Sequence, residues 1–163
     1  MTESREIFLK AGEFYFGAGQ VRVSTLLGSC VTVTLWHPRR QLGGMCHFML
    51  PGRPRLPGKP LDGHYADEAF ALFDQAISRR GTRAGDYEAK LFGGGNMFPH
   101  AFTAANQDVG SQNIQVAREL LASRGISLVS ENVGGAGHRK LYFDIWSGEV
   151  WMSFQNVREA AHG

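Results

Sequence analysis

The sequence predicts an α+β fold that is rich in strands and has two main helices on one side of a sheet. Short runs of β-branched and aromatic residues fill most of the chain, and only two segments place apolar residues at the 3.6-residue helical period. The chain has 163 residues, of which 43% are hydrophobic and 20% charged, so its composition is that of a globular domain. We therefore expect a single domain over residues 1–163.

Four short strands are predicted in the first half of the chain. They lie at residues 6–16, 20–27, 31–36 and 45–50, and glycine- or proline-containing turns separate them. An antiparallel meander is the simplest arrangement of such strands. Residues 52–60, with three prolines and three cationic side chains, predict an irregular and solvated loop.

Two helices are predicted in the second half. Residues 66–80 and 111–124 have apolar side chains at helical spacing, and each segment ends next to a glycine, Gly81 or Gly125. Ser111 is the expected N-cap of the second helix. The remaining predicted strands are, in chain order, residues 87–92, 126–130, 140–146 and 149–154, of which the last two form a hairpin.

Charge and hydropathy exclude several function classes. The net charge is only +2 and no basic stripe occurs, so a nucleic-acid partner is not expected. The N-terminus has no basic and apolar leader, and no apolar run approaches the ~20 residues that span a bilayer, so we expect a cytoplasmic protein without membrane insertion. Two cysteines in such a protein predict free thiols.

One thiol and one imidazole are placed as a catalytic pair would be. Cys30 follows a Gly-Ser turn and opens a predicted strand, and His47 is the single polar residue of an apolar strand-like segment. A thiol beside an imidazole is the minimum for nucleophilic catalysis at an acyl centre. Either residue alone has a structural explanation, since free cysteines and hydrogen-bonded histidines are common in cores.

Cys46 is a second thiol beside the histidine. Successive side chains of a strand point to opposite faces, so Cys46 and His47 cannot share a site while the segment is extended. We therefore expect Cys46 to pack in the core.

A third group is needed to orient the imidazole. No carboxylate lies close in sequence to either partner, and the nearby hydroxyls are Ser24, Thr25 and Ser29. The glycine-rich runs at residues 93–96 and 134–137 lack the endings of nucleotide-binding loops and predict tight turns at the rim of a site. The other histidines have no metal-ligand spacing with the cysteines; they are His37, His64, His100, His138 and His162.

Six short motifs are spread along the chain. They are LGSCV at residues 27–31, GMCHFMLP at 44–51, KLFGGGNM at 90–97, VGSQN at 109–113, ENVGG at 131–135 and GHRK at 137–140. In this combination and order the sequence resembles the CheD family, the chemoreceptor glutamine deamidases of bacterial and archaeal chemotaxis.

The resemblance implies a layered α/β/β fold and a cysteine-dependent protein-glutamine glutaminase without cofactor or metal. Such an enzyme converts glutamine side chains of methyl-accepting chemotaxis receptors to glutamate and releases ammonia through a thioester. The family's nucleophile falls on Cys30 and its histidine on His47. Its third residue, a threonine six positions before the cysteine, falls on Ser24, with Thr25 beside it. Some members also bind a CheC-type phosphatase.

Two other functions stay open at this point. One is a papain-like or amidotransferase-type hydrolase of small molecules, against which the missing carboxylate argues. The other is a non-catalytic module that regulates a CheC-type phosphatase or receptors, against which the intact Cys30 and His47 argue.

Overall fold

The computed structural model describes residues 4–97 and 108–156. Within these residues the chain forms nine strands and two α-helices, which confirms the strand-rich α+β class. The helices are α1 (Ala66–Arg79) and α2 (Val109–Ser123). The strands are β1 (Arg5–Leu9), β2 (Phe14–Ala18), β3 (Val21–Leu27), β4 (Val31–His37), β5 (Leu42–Cys46), β6 (Glu88–Gly93), β7 (Ser127–Val133), β8 (Gly137–Asp144) and β9 (Val150–Asn156).

The strands form two mixed sheets. A four-stranded sheet has the order β1-β3-β8-β9, and a five-stranded sheet has the order β2-β5-β4-β6-β7. The pairs β1–β3 and β6–β7 are parallel, and the other pairs are antiparallel.

Hydrophobic clusters on the two faces of the five-stranded sheet define the layers. On one face of the five-stranded sheet, Val31 and Leu35 pack with helix residues such as Phe70. We call this cluster the helix-side core. On the other face, Met45 packs with Phe143 of the four-stranded sheet. Burial of each large side chain contributes about 1.5–3 kcal/mol. The order is therefore helices, five-stranded sheet and four-stranded sheet, which is the expected α/β/β layering.

The helix predictions are confirmed to within two residues at each end. The structure has α1 where residues 66–80 were predicted, and α2 where residues 111–124 were predicted. The predicted cap of α2 is wrong, because Asp108 is the N-cap and its carboxylate accepts a hydrogen bond from the Ser111 amide at 2.9 Å. The predicted C-terminal hairpin is present as β8 and β9.

The predicted antiparallel meander is wrong. The segment predicted as one strand over residues 6–16 is two strands in different sheets, because the chain turns at Gly12, whose φ of +85° lies in the left-handed region that glycine tolerates. β1 then pairs in parallel with β3, while β2 pairs with β5. As a result β3 and β4 belong to different sheets, and the turn at residues 28–30 crosses from one layer to the other.

The irregular loop over residues 52–60 is attached to α1. The buried carboxylate of Glu68 accepts hydrogen bonds from Arg53 and Arg55, each at 2.9 Å, and from the Asp62 amide at 3.0 Å. These partners, Arg53 foremost, lower the pKa of Glu68. Two of the three cationic side chains of the loop are thus paired within the protein.

Candidate active site

Cys30 lies at the end of the turn that links the two sheets. Its side chain is partly exposed, whereas the neighbouring strands β3 and β4 are mostly buried. The Cys30 carbonyl accepts a hydrogen bond from the Gly94 amide at 2.9 Å, and the Gly28 carbonyl accepts one from the Gly95 amide at 3.0 Å. These bonds fix the backbone that carries the thiol.

His47 follows the last residue of β5 and continues its pairing with β4. Val31 and Phe48 exchange both backbone hydrogen bonds at 3.0 Å, in the same register as Thr34 and Met45 further along. The side chains of Val31 and Phe48 belong to the helix-side core. His47, one position before Phe48, therefore points to the opposite side, between the two sheets.

The same pairing places the two predicted catalytic residues on one side of the sheet. Cys30 precedes Val31 and His47 precedes Phe48, so both side chains point away from the helix-side core. In this register Cys30 and His47 are diagonal neighbours across the two segments, and residues so related are roughly 7–8 Å apart.

Cys46 packs in the helix-side core, on the face that the alternation of side chains along a strand predicts. It is 1% exposed within the helix-side core, and burial raises its pKa to about 12. The expectation that Cys46 is a core residue facing away from His47 is confirmed.

Thr25 makes the contact that the sequence interpretation assigned to Ser24. The Thr25 hydroxyl lies 2.7 Å from His47 Nδ1 and 2.8 Å from the Leu9 carbonyl oxygen. Thr25 shares the inter-sheet face of β3 with Val23, whereas Ser24 lies on the other face of that strand. The geometry thus favours Thr25, five positions before Cys30, over Ser24.

The two contacts of Thr25 determine the tautomer of His47. A hydroxyl has one proton, and a carbonyl oxygen can only accept, so the Thr25 hydroxyl donates to the Leu9 carbonyl. It then accepts from His47 Nδ1–H. This leaves His47 Nε2 without a proton and able to act as a base.

Burial keeps both partners neutral at rest. It lowers the pKa of His47 to about 4, with a smaller contribution from nearby His64, and it raises the pKa of the Cys30 thiol. At pH 7 the pair is therefore a thiol and an uncharged imidazole. A nucleophilic role for this thiol would require a base to take its proton.

A neutral pair predicts a distinctive alkylation profile. In a Cys46→Ala variant, iodoacetamide should modify Cys30 slowly at pH 7, and the rate should rise about tenfold per pH unit towards the thiol pKa. The measurement is intact-protein mass against time between pH 5 and 10. A rate that is already at its plateau between pH 5 and 7 would show a thiolate–imidazolium pair instead.

Backbone amides near the thiol are available as hydrogen-bond donors. Within the described part of the chain, the amides of Ser29 and Cys30 have no protein acceptor, whereas the Val31 amide donates to Phe48. Two free amides beside a nucleophile form the donor set that a tetrahedral oxyanion requires.

Two glycine loops support the turn at residues 28–30, which carries Cys30. Gly93 has φ +110° and a side chain there would overlap the Cys30 carbonyl oxygen, so only glycine fits. The Gly134 amide donates to the Gly93 carbonyl at 2.9 Å, which joins the second loop to the first. These loops are thus part of the site's framework, in line with the predicted tight turns.

Arg139 is a site-supporting residue that sequence reasoning did not single out. It is 3% exposed and donates to Asn132 Oδ1 at 2.9 Å and to the Gly134 carbonyl at 2.8 Å. The guanidinium therefore holds the second glycine loop in place. Its position in the GHRK motif next to that loop was the available signal.

The described part of the chain contains no metal-binding cluster and no membrane-spanning helix. Within residues 4–97 and 108–156, no group of three or more His, Cys, Asp or Glu side chains could hold a metal ion. His100 and His162 lie outside the described residues. No helix of the described ranges is long and apolar enough to cross a membrane.

The family model and two curated relatives that match this chain belong to one family. The family model for CheD chemotactic sensory transduction matches residues 49–154. A probable chemoreceptor glutamine deamidase CheD 3 of Dechloromonas aromatica (strain RCB) is 52% identical over 99% of this chain and 97% of its own length. A probable chemoreceptor glutamine deamidase CheD of Pseudomonas fluorescens (strain SBW25) is 48% identical over 92% of this chain and 85% of its own length.

A solved structure has a related fold. The crystal structure of the hypothetical protein YfiH of Bacillus licheniformis superposes with a TM-score of 0.50, covers 80% of this chain and 60% of its own, and is 14% identical. At this identity the likeness concerns the fold alone.

Proposed function

The chain belongs to the CheD family, and from that premise we propose that it is a cytoplasmic, cysteine-dependent deamidase of chemoreceptor glutamines. The substrate class comes from the relatives, which are named as chemoreceptor glutamine deamidases. The observation that best supports a cysteine mechanism is the pair of hydrogen bonds at the Thr25 hydroxyl. This hydroxyl donates to the Leu9 carbonyl and accepts from His47 Nδ1–H, so His47 Nε2 is free to act as the base for Cys30.

In the first half-reaction, Cys30 attacks the carbon of the glutamine carboxamide. His47 Nε2 takes the thiol proton as the S–C bond forms, because the thiol is protonated at rest. The amides of Ser29 and Cys30 donate to the oxyanion of the tetrahedral intermediate. His47 then gives its proton to the departing nitrogen, the C–N bond breaks, and ammonia and a thioester are the products.

In the second half-reaction, water hydrolyses the thioester. His47 accepts a proton from the water as its oxygen bonds to the acyl carbon. The C–S bond breaks, the Cys30 sulfur takes the proton back, and the receptor side chain leaves as glutamate. Thr25 holds the imidazole in one tautomer through both halves.

The test of the proposal is incubation of the protein with a purified chemoreceptor cytoplasmic fragment. We expect a mass increase of about one dalton per converted glutamine, with one ammonia for each. Free glutamine serves as the comparison substrate. If free glutamine were hydrolysed readily and the receptor fragment were left unchanged, the protein would instead be a small-molecule amidase.

A further inference from the structure

Thr32 has its side chain on the same face of the sheet as the proposed catalytic pair. It lies two residues after Cys30 on β4, so the two side chains share one face. Val31 and Phe48 form a hydrogen-bonded pair, and the next pair in that register is Thr32 opposite His47. In such a non-hydrogen-bonded antiparallel pair the Cβ atoms are only about 4.5–5.5 Å apart.

The hydroxyl of Thr32 has no partner. The residue is completely buried, and its Oγ1 has no hydrogen-bond partner among the described residues. Thr25, which is equally buried, has both of its contacts satisfied. A buried hydroxyl without a partner is destabilising, and native proteins retain such groups where they have a use.

We propose that Thr32 positions the water molecule that hydrolyses the thioester on Cys30. The inference rests on the proposed deamidase function. The Thr32 hydroxyl donates a hydrogen bond to the water oxygen, and one water proton points to His47 Nε2. The oxygen's second lone pair attacks the acyl carbon, His47 takes that proton, and the proton returns to sulfur when the C–S bond breaks.

In this role Thr32 acts in only one of the two half-reactions, the hydrolysis of the thioester. During acylation His47 takes its proton directly from the Cys30 thiol, so no water is involved and Thr32 contributes nothing. During deacylation the attacking water has to be held in line with the acyl carbon, and loss of such positioning slows a reaction by roughly 10–100-fold.

The experiment uses Thr32→Val, which keeps the shape of the side chain and removes the hydroxyl. With excess receptor fragment, we expect one equivalent of ammonia at the wild-type rate, accumulation of the protein–receptor thioester in intact mass spectra, and deacylation roughly 10–100-fold slower. The melting temperature should rise by about 2–4 °C, because an unpartnered buried hydroxyl has been removed. Thr32→Ser should restore deacylation.

Thr34→Val is the matched control. Thr34 lies on the same face of β4 but pairs with Met45, further from Cys30. Both half-reactions should stay at wild-type rates in this variant. Should Thr32→Val fail to fold, Thr32→Ala and Thr32→Ser make the same comparison.

Four outcomes are decisive. Equal slowing of ammonia release and thioester hydrolysis, or no change in either, would overturn the role of Thr32 and leave the proposed function intact. Equal deacylation rates in the Ala and Ser variants would do the same. A wild-type protein that released no ammonia from receptor fragments would refute the deamidase function itself.

Discussion

Replacing His47 by glutamine should lower kcat/KM for receptor deamidation by at least ~10³-fold. His47 is the proposed base for a thiol that is protonated at neutral pH, and its contact with Thr25 leaves Nε2 able to take the proton. The residual rate should rise with pH towards the thiol pKa, since hydroxide then supplies the thiolate that the imidazole no longer generates. The measurement is ammonia release from a receptor fragment between pH 6 and 10.

His37→Gln is the matched control for this variant. His37 is also buried, lies at the far end of β4 and accepts a hydrogen bond from the Arg40 amide at 3.1 Å. Its replacement should leave kcat/KM within about twofold of wild type, because it lies at the opposite end of β4 from Cys30. A His47→Gln protein as active as His37→Gln would contradict the assignment of His47 as the base.

Thr25→Val should reduce kcat by roughly 100-fold while the fold is retained. The valine cannot accept from His47 Nδ1–H, so the imidazole is free to take the tautomer with its proton on Nε2, where it cannot act as a base. The Leu9 carbonyl also loses its donor, at a cost of about 1–3 kcal/mol in the free energy of unfolding. Thr25→Ser should remain within about tenfold of wild type, since it keeps the hydroxyl.

Ser24→Ala separates the two candidate hydroxyls. Ser24 lies on the opposite face of β3, so its loss should change kcat by less than about threefold. Steady-state kinetics of the two variants on one receptor fragment provide the comparison. If Ser24→Ala were the slower enzyme, the orienting role would return to Ser24.

Most of the elements could be predicted because their signals are local. The periodicity of α1 and α2 and the turn between β8 and β9 are set by residues within each segment. The division of the early strands between two sheets could not be predicted in this way. It depends on the turn at Gly12 and on the contacts that β1 and β2 make with strands distant in sequence.

The sequence also allowed part of the candidate site to be predicted. Alternation along a strand placed Cys46 away from His47, and the structure agrees. The same rule applied to β3 would have put Thr25 with Val23 on the inter-sheet face, but the family spacing of six residues pointed to Ser24 instead. A spacing counted along the chain does not determine which face of a strand a side chain occupies.

Thr32 could not be identified from sequence, and the only sequence signal for Arg139 was its place in the GHRK motif. A threonine within a β-rich run is expected as a strand residue, and only the pairing of β4 with the His47 segment places it beside the catalytic pair. The role of Arg139 depends on carbonyl groups of a loop that has no side chains to indicate it.

We propose that Cys30 is the nucleophile of a receptor deamidase. Mass spectrometry of receptor fragments incubated with wild type, Cys30→Ala and Cys46→Ala tests it most directly. We predict a gain of about one dalton per target glutamine with wild type and Cys46→Ala, and none with Cys30→Ala. Full conversion by Cys30→Ala, or its loss in a folded Cys46→Ala protein, would contradict the claim.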